Sequence, residues 1–86
     1  MEGRFEESAS SYEGVRALCE ETGDRRGVAT ALCGLANVAR HRQDYDRARA
    51  GFEASLAIYR ELGDQRGIAV LLNNLGAVAS LSLIHI

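Results

Sequence analysis

The sequence predicts an all-α fold in which antiparallel helical hairpins stack side by side as an α-solenoid. Three observations predict it. The segment Gly23-Asp24-Arg25-Arg26-Gly27-Val28-Ala29-Thr30-Ala31-Leu32 returns as Gly63-Asp64-Gln65-Arg66-Gly67-Ile68-Ala69-Val70-Leu71-Leu72, an offset of 40 residues at which nine of the seventeen positions from 23 to 39 recur unchanged. Within each copy the apolar residues fall three or four apart, the spacing of one face of an α-helix. Gly-Asp pairs then mark the points where one helix must stop and the next begin. Self-similarity at a period of a few tens of residues is the mark of an array of identical supersecondary units.

Four helices follow in order. The first spans 4–21 and matches the third loosely: Phe5 falls on Tyr45, Tyr12 on Phe52, Leu18 on Ile58 and Glu21 on Glu61. The second spans 24–41, with Leu32, Leu35, Ala36 and Ala39 on one face. The third spans 45–62 through Tyr45, Ala48, Phe52, Leu56 and Tyr59. The fourth spans 65–80, where Leu72, Leu75, Gly76 and Ala79 repeat the pattern of the second. Ala, Leu, Arg and Glu favour all four spans, and no proline interrupts them. At the joints, Gly23 and Gly63 suit the left-handed conformation that ends a helix. Asp24, Asp44 and Asp64 suit the cap of the helix that follows. Gly27 and Gly67 fall in the first turn, where a close neighbour needs the room. Connections this short make successive helices antiparallel.

The small residues fit such an array. Ala36 and Gly76 occupy matching positions and are expected to let paired helices approach closely. Ala48 is the small residue of the third helix, and Phe52 supplies the bulk between layers.

This pattern resembles the tetratricopeptide repeat, a helical hairpin of about 34 residues with large and small residues at fixed positions. Starting at Ala29, Leu32 stands at the first large position, Leu35 and Ala36 at the Leu-Gly pair, and Ala39 where tyrosine is usual. Ala48, Phe52 and Ser55 match the small, aromatic and small residues of the second helix. Starting again at Ala69, Leu72, Leu75, Gly76 and Ala79 match the opening half. The first helix, with Phe5, Ser8, Tyr12 and Val15, looks like a second-half helix without its first half. Two departures stand out: the period is 40 residues, and Arg60 replaces the family's proline. The long form, with Gly-Asp-x-x-Gly-x-Ala at the joint, looks like the repeats of bacterial signal-transducing ATPase regulators and of adaptors that orient cell division in animals. Ten arginines without a lysine suggest a GC-rich genome and favour the bacterial context.

The chemistry of the remaining residues excludes more than it assigns. Cys19 and Cys33 are the only cysteines, so this is not a disulfide scaffold, and both read as small packing residues. His41 stands alone, and nothing converges as the three or four ligands of a metal site must. No cofactor and no catalytic residue is expected. Gly23-Asp24-Arg25-Arg26-Gly27 lacks the strand and the Gly-Lys-Ser/Thr end of a phosphate loop, and its copy at Gly63 makes it a structural joint. Arginines are interspersed with twelve acids for a net charge of -2, which disfavours direct nucleic-acid binding. No stretch approaches the roughly 18 apolar residues of a membrane span, and no apolar core follows the N-terminal charges as in a signal peptide. A cytoplasmic location is expected.

The resemblance implies a protein-interaction scaffold whose partner is a protein, a peptide or an adjacent repeat or domain of a longer parent. The first helix of each hairpin lines the concave surface in that family, which carries the role onto Thr30, Cys33, Asn37, Arg40 and His41, then Val70, Asn73, Ala77 and Ser80. Asparagine both donates and accepts, which suits a peptide backbone, and Arg40 suits a carboxylate. The lysines with which the chaperone-binding subfamily clamps a C-terminal carboxylate are absent. The alternative reading is a structural or sensor segment of a bacterial transcriptional regulator or signalling ATPase. The repeat region is expected over 4–80, about two units incomplete at both ends. The hexapeptide 81–86 departs from the repeat and alternates like a strand. Its back-translation matches a transposon-type sequencing adapter, so it reads as a non-native tail and, with His85, is set aside from function.

Overall fold

The computed structural model describes residues 2–84 of the backbone, with the side chains of 6–81 and 83. Four helices follow one another: α1 (Glu2–Thr22), α2 (Arg25–His41), α3 (Tyr45–Leu62) and α4 (Gln65–Ile84). Each packs on its neighbour in sequence, α1 on α2, α2 on α3 and α3 on α4, as a row of antiparallel hairpins. The predicted architecture is the observed one.

All three joints have one construction. Gly23 and Gly63 take the left-handed conformation, at φ of 76° and 69°. The amide of the aspartate that follows then reaches back five residues: Asp24 to the Cys19 carbonyl at 2.9 Å, Asp64 to that of Tyr59 at 3.0 Å. This closes the helix end with its own orphan carbonyl. The same aspartates cap the next helix, their Oδ1 accepting from the amides of Gly27 at 3.0 Å and Gly67 at 3.1 Å. The middle joint repeats this without glycine. Gln43 adopts φ of 65°, Asp44 donates to the Ala39 carbonyl at 2.8 Å, and its side chain accepts from Arg47 at 3.3 Å. Gly27 and Gly67 need their missing Cβ as expected: an added methyl would run into Cys19 Sγ at the first and into the Tyr59 ring at the second. Gly34 is a further such site, where a Cβ would meet the ring of Tyr12.

The core sits where α2, α3 and α4 meet. Phe52 is fully buried there with Ala36, Ala48, Leu56, Leu71 and Val78 around it. The helices come close because the facing residues are small. A Cβ on Gly51 would lie 2.9 Å from that of Ala36 and 3.4 Å from the Leu32 carbonyl. Nearer the joints, Val28, Ala29 and Ile58 form a second buried cluster with Cys19 packed against it. Ser55 is buried beside it and donates from its hydroxyl to the Ala29 carbonyl at 2.7 Å, so no polar atom of that pair is stranded.

Three expectations are corrected. Leu72, expected on an inner face, is 51% exposed, and Ala79 is exposed as well. Gly76 has no close neighbour, since an added Cβ would meet nothing within 4 Å. The reason is that α4 docks on α3 through Ile68, Leu71, Leu75 and Val78, while Ala69, Leu72, Gly76 and Ala79 correspond to the face by which α2 meets α3 and have no helix opposite. Third, residues 81–84 are helix and not strand. A strand needs a ladder partner, whereas extending an existing helix adds one hydrogen bond per residue fixed. His85 and Ile86 lie outside the described residues, as does the Phe5 side chain. At the other ends, α1 starts at Glu2 and not Arg4, and Asp24 caps α2 from outside.

Replacing Phe52 with alanine removes the largest buried side chain and is expected to destabilise the fold by about 3 to 4 kcal/mol. Ala48→Leu overpacks the same place, at a cost of about 1 to 3 kcal/mol. Urea titration reads both, and an unchanged midpoint removes either residue from the core. The two helical glycines give opposite signs. Gly51→Ala lowers the melting temperature, because the Ala36 backbone must retreat. Gly76→Ala raises stability by about 0.5 to 1 kcal/mol in dilute solution through helix propensity alone. Equal shifts for the two would contradict the close approach at Gly51.

Candidate functional site

The residues implied for binding lie on one side of α2 and on the aligned side of α4. Helical geometry puts Thr30, Cys33, Asn37, Arg40 and His41 within one stripe of α2, flanking the stripe that packs on α3, and Cys33 at its edge touches the Phe52 cluster. Thr30 and His41 are exposed, and Cys33, Asn37 and Arg40 are half-buried. On α4, Val70, Asn73 and Ser80 are exposed and Ala77 is half-buried.

Between the two stripes lies a groove of about 390 Å³, lined by Arg26, Cys33, Tyr59, Asp64, Arg66, Gly67, Val70 and Leu71. It brings Cys33 and Val70 together. The Cys33 sulfur is its floor, with the amide nitrogens of Asn37 and Asn74 at 4.0 and 3.9 Å. One rim is an ion pair, Arg26 to Asp64 at 2.7 Å. Behind it, Tyr59 reaches from α3 to place its hydroxyl 3.4 Å from that of Thr30, which also donates to the Arg26 carbonyl at 3.0 Å. A larger groove of about 520 Å³ runs on the other side of α2, over Leu32, Leu35 and Ala39 between Glu13 of α1 and Arg47 of α3. It shares no residue with the stripe.

Burial pushes the Cys33 thiol above its ordinary range, and the nearby Arg40 charge and the Asn74 amide only partly offset this. The thiol is therefore protonated near neutral pH and serves as an apolar packing group, in keeping with its contact with the Phe52 cluster. Cys19 packs in the same way against Val28, Ala29 and Ile58. Among the described residues, no three or more His, Cys, Asp or Glu side chains gather as a metal site, and no helix is long and apolar enough to cross a membrane.

Three residues of the groove escape a reading of the α2 and α4 stripes. Asn74, not Asn73, reaches Cys33 across the groove. The 40-residue offset carries the signal, since Asn74 takes the place of Gly34 and puts a polar side chain where the preceding unit has none. Tyr59 belongs to a second-half helix and enters from beneath, and its offset partner is the smaller Cys19. Arg66 lies on the rim with no ion pair among the described residues.

In a Cys19→Ala background, alkylation of Cys33 is expected to be slow at neutral pH. Its rate should climb beyond the pH at which an ordinary thiol levels off, because only the thiolate reacts. Arg40→Ala removes a charge that favours the thiolate and slows the reaction further. A rate that levels off at the ordinary thiol range, unaffected by Arg40→Ala, would contradict this placement.

The sequence pattern of the tetratricopeptide repeat matches residues 27–82, from the first turn of α2 into the last turn of α4. Comparison with curated proteins and with solved structures gives no match. The matched stretch is nearly two thirds of the chain and contains the α2–α3 hairpin from Gly27 on, Phe52 and all of the groove's lining but Arg26, so the chain belongs to the tetratricopeptide repeat family.

Proposed function

We propose that the chain is a protein-interaction scaffold, a segment of repeat superhelix whose α2–α4 side holds an extended peptide or a neighbouring domain. The observation that carries this reading is the open groove between α2 and α4, within the matched repeat but for Arg26, where hydroxyl and guanidinium groups line the sides and the Asn37 and Asn74 amides lie against the Cys33 thiol. Such a surface suits an extended backbone: Asn37, Asn73 and Asn74 each donate and accept, and Arg40 and Arg66 supply charge for acidic side chains. Thr30, Cys33, His41 and Ala77 complete the stripe. The partner is a protein or peptide, and the setting is the cytoplasm.

A second reading is favoured by the ion pairs that span successive units. Arg25 to Glu61 at 2.9 Å and Arg26 to Asp64 at 2.7 Å tie the first joint to the third. Joints linked in this way suit a stiff structural or sensor segment of a bacterial transcriptional regulator or signalling ATPase, in which the repeat transmits position and binds nothing itself.

A displayed library of extended peptides, selected on the immobilised chain, separates the two. The scaffold reading expects enriched peptides whose affinity falls at least about tenfold, or about 1.4 kcal/mol, in the Asn37→Ala, Asn73→Ala double variant with its melting curve unchanged. Failure to enrich any peptide, or binding indifferent to the double substitution, contradicts it and leaves the structural reading.

A further inference from the structure

The two outer helices expose faces that fit each other. The pair α2 and α3 shows how. Ala29, Leu32 and Ala36 of α2 meet Ser55, Gly51 and Ala48 of α3, and Ile58 is buried against Val28 and Ala29. At the 40-residue offset, the same face on α4 is Ile68, Ala69, Leu72 and Gly76, and the α3 face recurs on α1 as Ser8, Ser11, Val15 and Leu18. Here both faces lie open except at Ile68, which is half-buried against the Phe52 cluster. Leu72 is 51%, Val15 48% and Leu18 60% exposed, and Ala69, Gly76, Ser8 and Ser11 are exposed too. An α2-type face without its α3, and an α3-type face without its α2, thus stand at opposite sides of one molecule.

We propose that α4 of one copy of this chain receives α1 of a second copy, head to tail, in the arrangement of the α2–α3 pair. Charge supports this occupant. Within the chain, Arg26 pairs with Asp64, the cap of the next unit's first helix. The offset equivalent of Arg26 is Arg66, which has no ion pair among the described residues. In the stacked copy the residue that takes the place of Asp64 is the second copy's Asp24, whose Oδ1 caps Gly27 as that of Asp64 caps Gly67. Gln65, in the place of Arg25, then faces the second copy's Glu21, in the place of Glu61. Small residues match as well: Gly76 and the second copy's Ser11 sit where Ala36 and Gly51 come together, and Leu18 enters beside Ile68 as Ile58 does beside Val28. The contact is heterologous, so each added copy leaves the same two faces open at the ends, and the assembly grows by addition unless its rotation closes a ring.

Sedimentation equilibrium across a range of concentrations tests this with Leu18→Glu and Leu72→Glu, each at an exposed position and on a different face. The unsubstituted chain is expected to rise past twice the 9.3 kDa of one copy. Each variant alone stays a monomer, and an equimolar mixture gains a dimer and stops there, since only one pair of intact faces remains. Arg66→Glu, at an exposed side chain, weakens association at low salt and provides the check should a leucine variant fail to fold. An unsubstituted chain that stays monomeric throughout overturns the proposal and leaves the faces to other repeats. A leucine variant that still associates alone overturns it in favour of a symmetric contact, and a mixture that stays monomeric overturns it as well.

Discussion

The burial of one aromatic ring, Phe52, sets the terms for the rest of the molecule. Its position on α3 lets it touch both α2 and α4, and its full burial requires those helices to converge on α3 without leaving a void. Convergence on one side is possible because Gly51 faces Ala36 and Ala48 sits one turn away, all too small to hold the helices apart. On the other side Leu71 and Val78 fill the space that the ring leaves. A side chain of that size, fully removed from water, contributes about 2 to 3 kcal/mol by transfer alone. That is a large share of the stability of a chain this short.

The joints make the convergence repeat. A left-handed residue followed by aspartate ends one helix, caps the next and fixes the angle between them, at 23–24, 43–44 and 63–64 alike. Their backbone bonds are local, reaching back no more than five residues at each joint. The ion pairs between the first and third joints are largely exposed and add little energy by themselves; the register of the two units is set by the packing of α2 and α4 on α3 around Phe52. The α2–α4 groove follows from this register, since the same stripe of each first helix must then point the same way.

The parts of the structure set by local chemistry were legible in the sequence. Gly23 and Gly63 announced their conformation, Asp24, Asp44 and Asp64 their caps, and the small-aromatic pair Ala48 and Phe52 its place in the core. Gln43 was not legible as a left-handed residue, because only its place midway between Gly23 and Gly63 and the Asp44 that follows, not its own side chain, ask for that conformation. Periodicity placed Leu72, Leu75, Gly76 and Ala79 on a shared face, but which of two possible faces is covered depends on a neighbouring helix. The neighbour that covers Leu32 has no counterpart over Leu72. Asn74 and Tyr59 escaped for a related reason: the groove is built between units, and one unit's pattern describes only its own stripe. Alternation in 81–84 misled because four residues at the end of a formed helix follow that helix.

If Phe52 couples α2, α3 and α4, these helices cannot open separately. Helix α1 is held differently. It carries Arg16 where α3 has Leu56, and Val15 and Leu18 are turned to solvent. Native-state hydrogen exchange on the monomeric chain (Leu72→Glu, or a dilution at which no association is seen), followed amide by amide through increasing denaturant, tests this most directly. The account predicts that amides of α2, of α3 and of the Leu71–Val78 side of α4 merge at one opening free energy equal to that of global unfolding, while α1 opens at a lower one. Separate openings for α2 and α3, or an α1 as protected as α3, would contradict it.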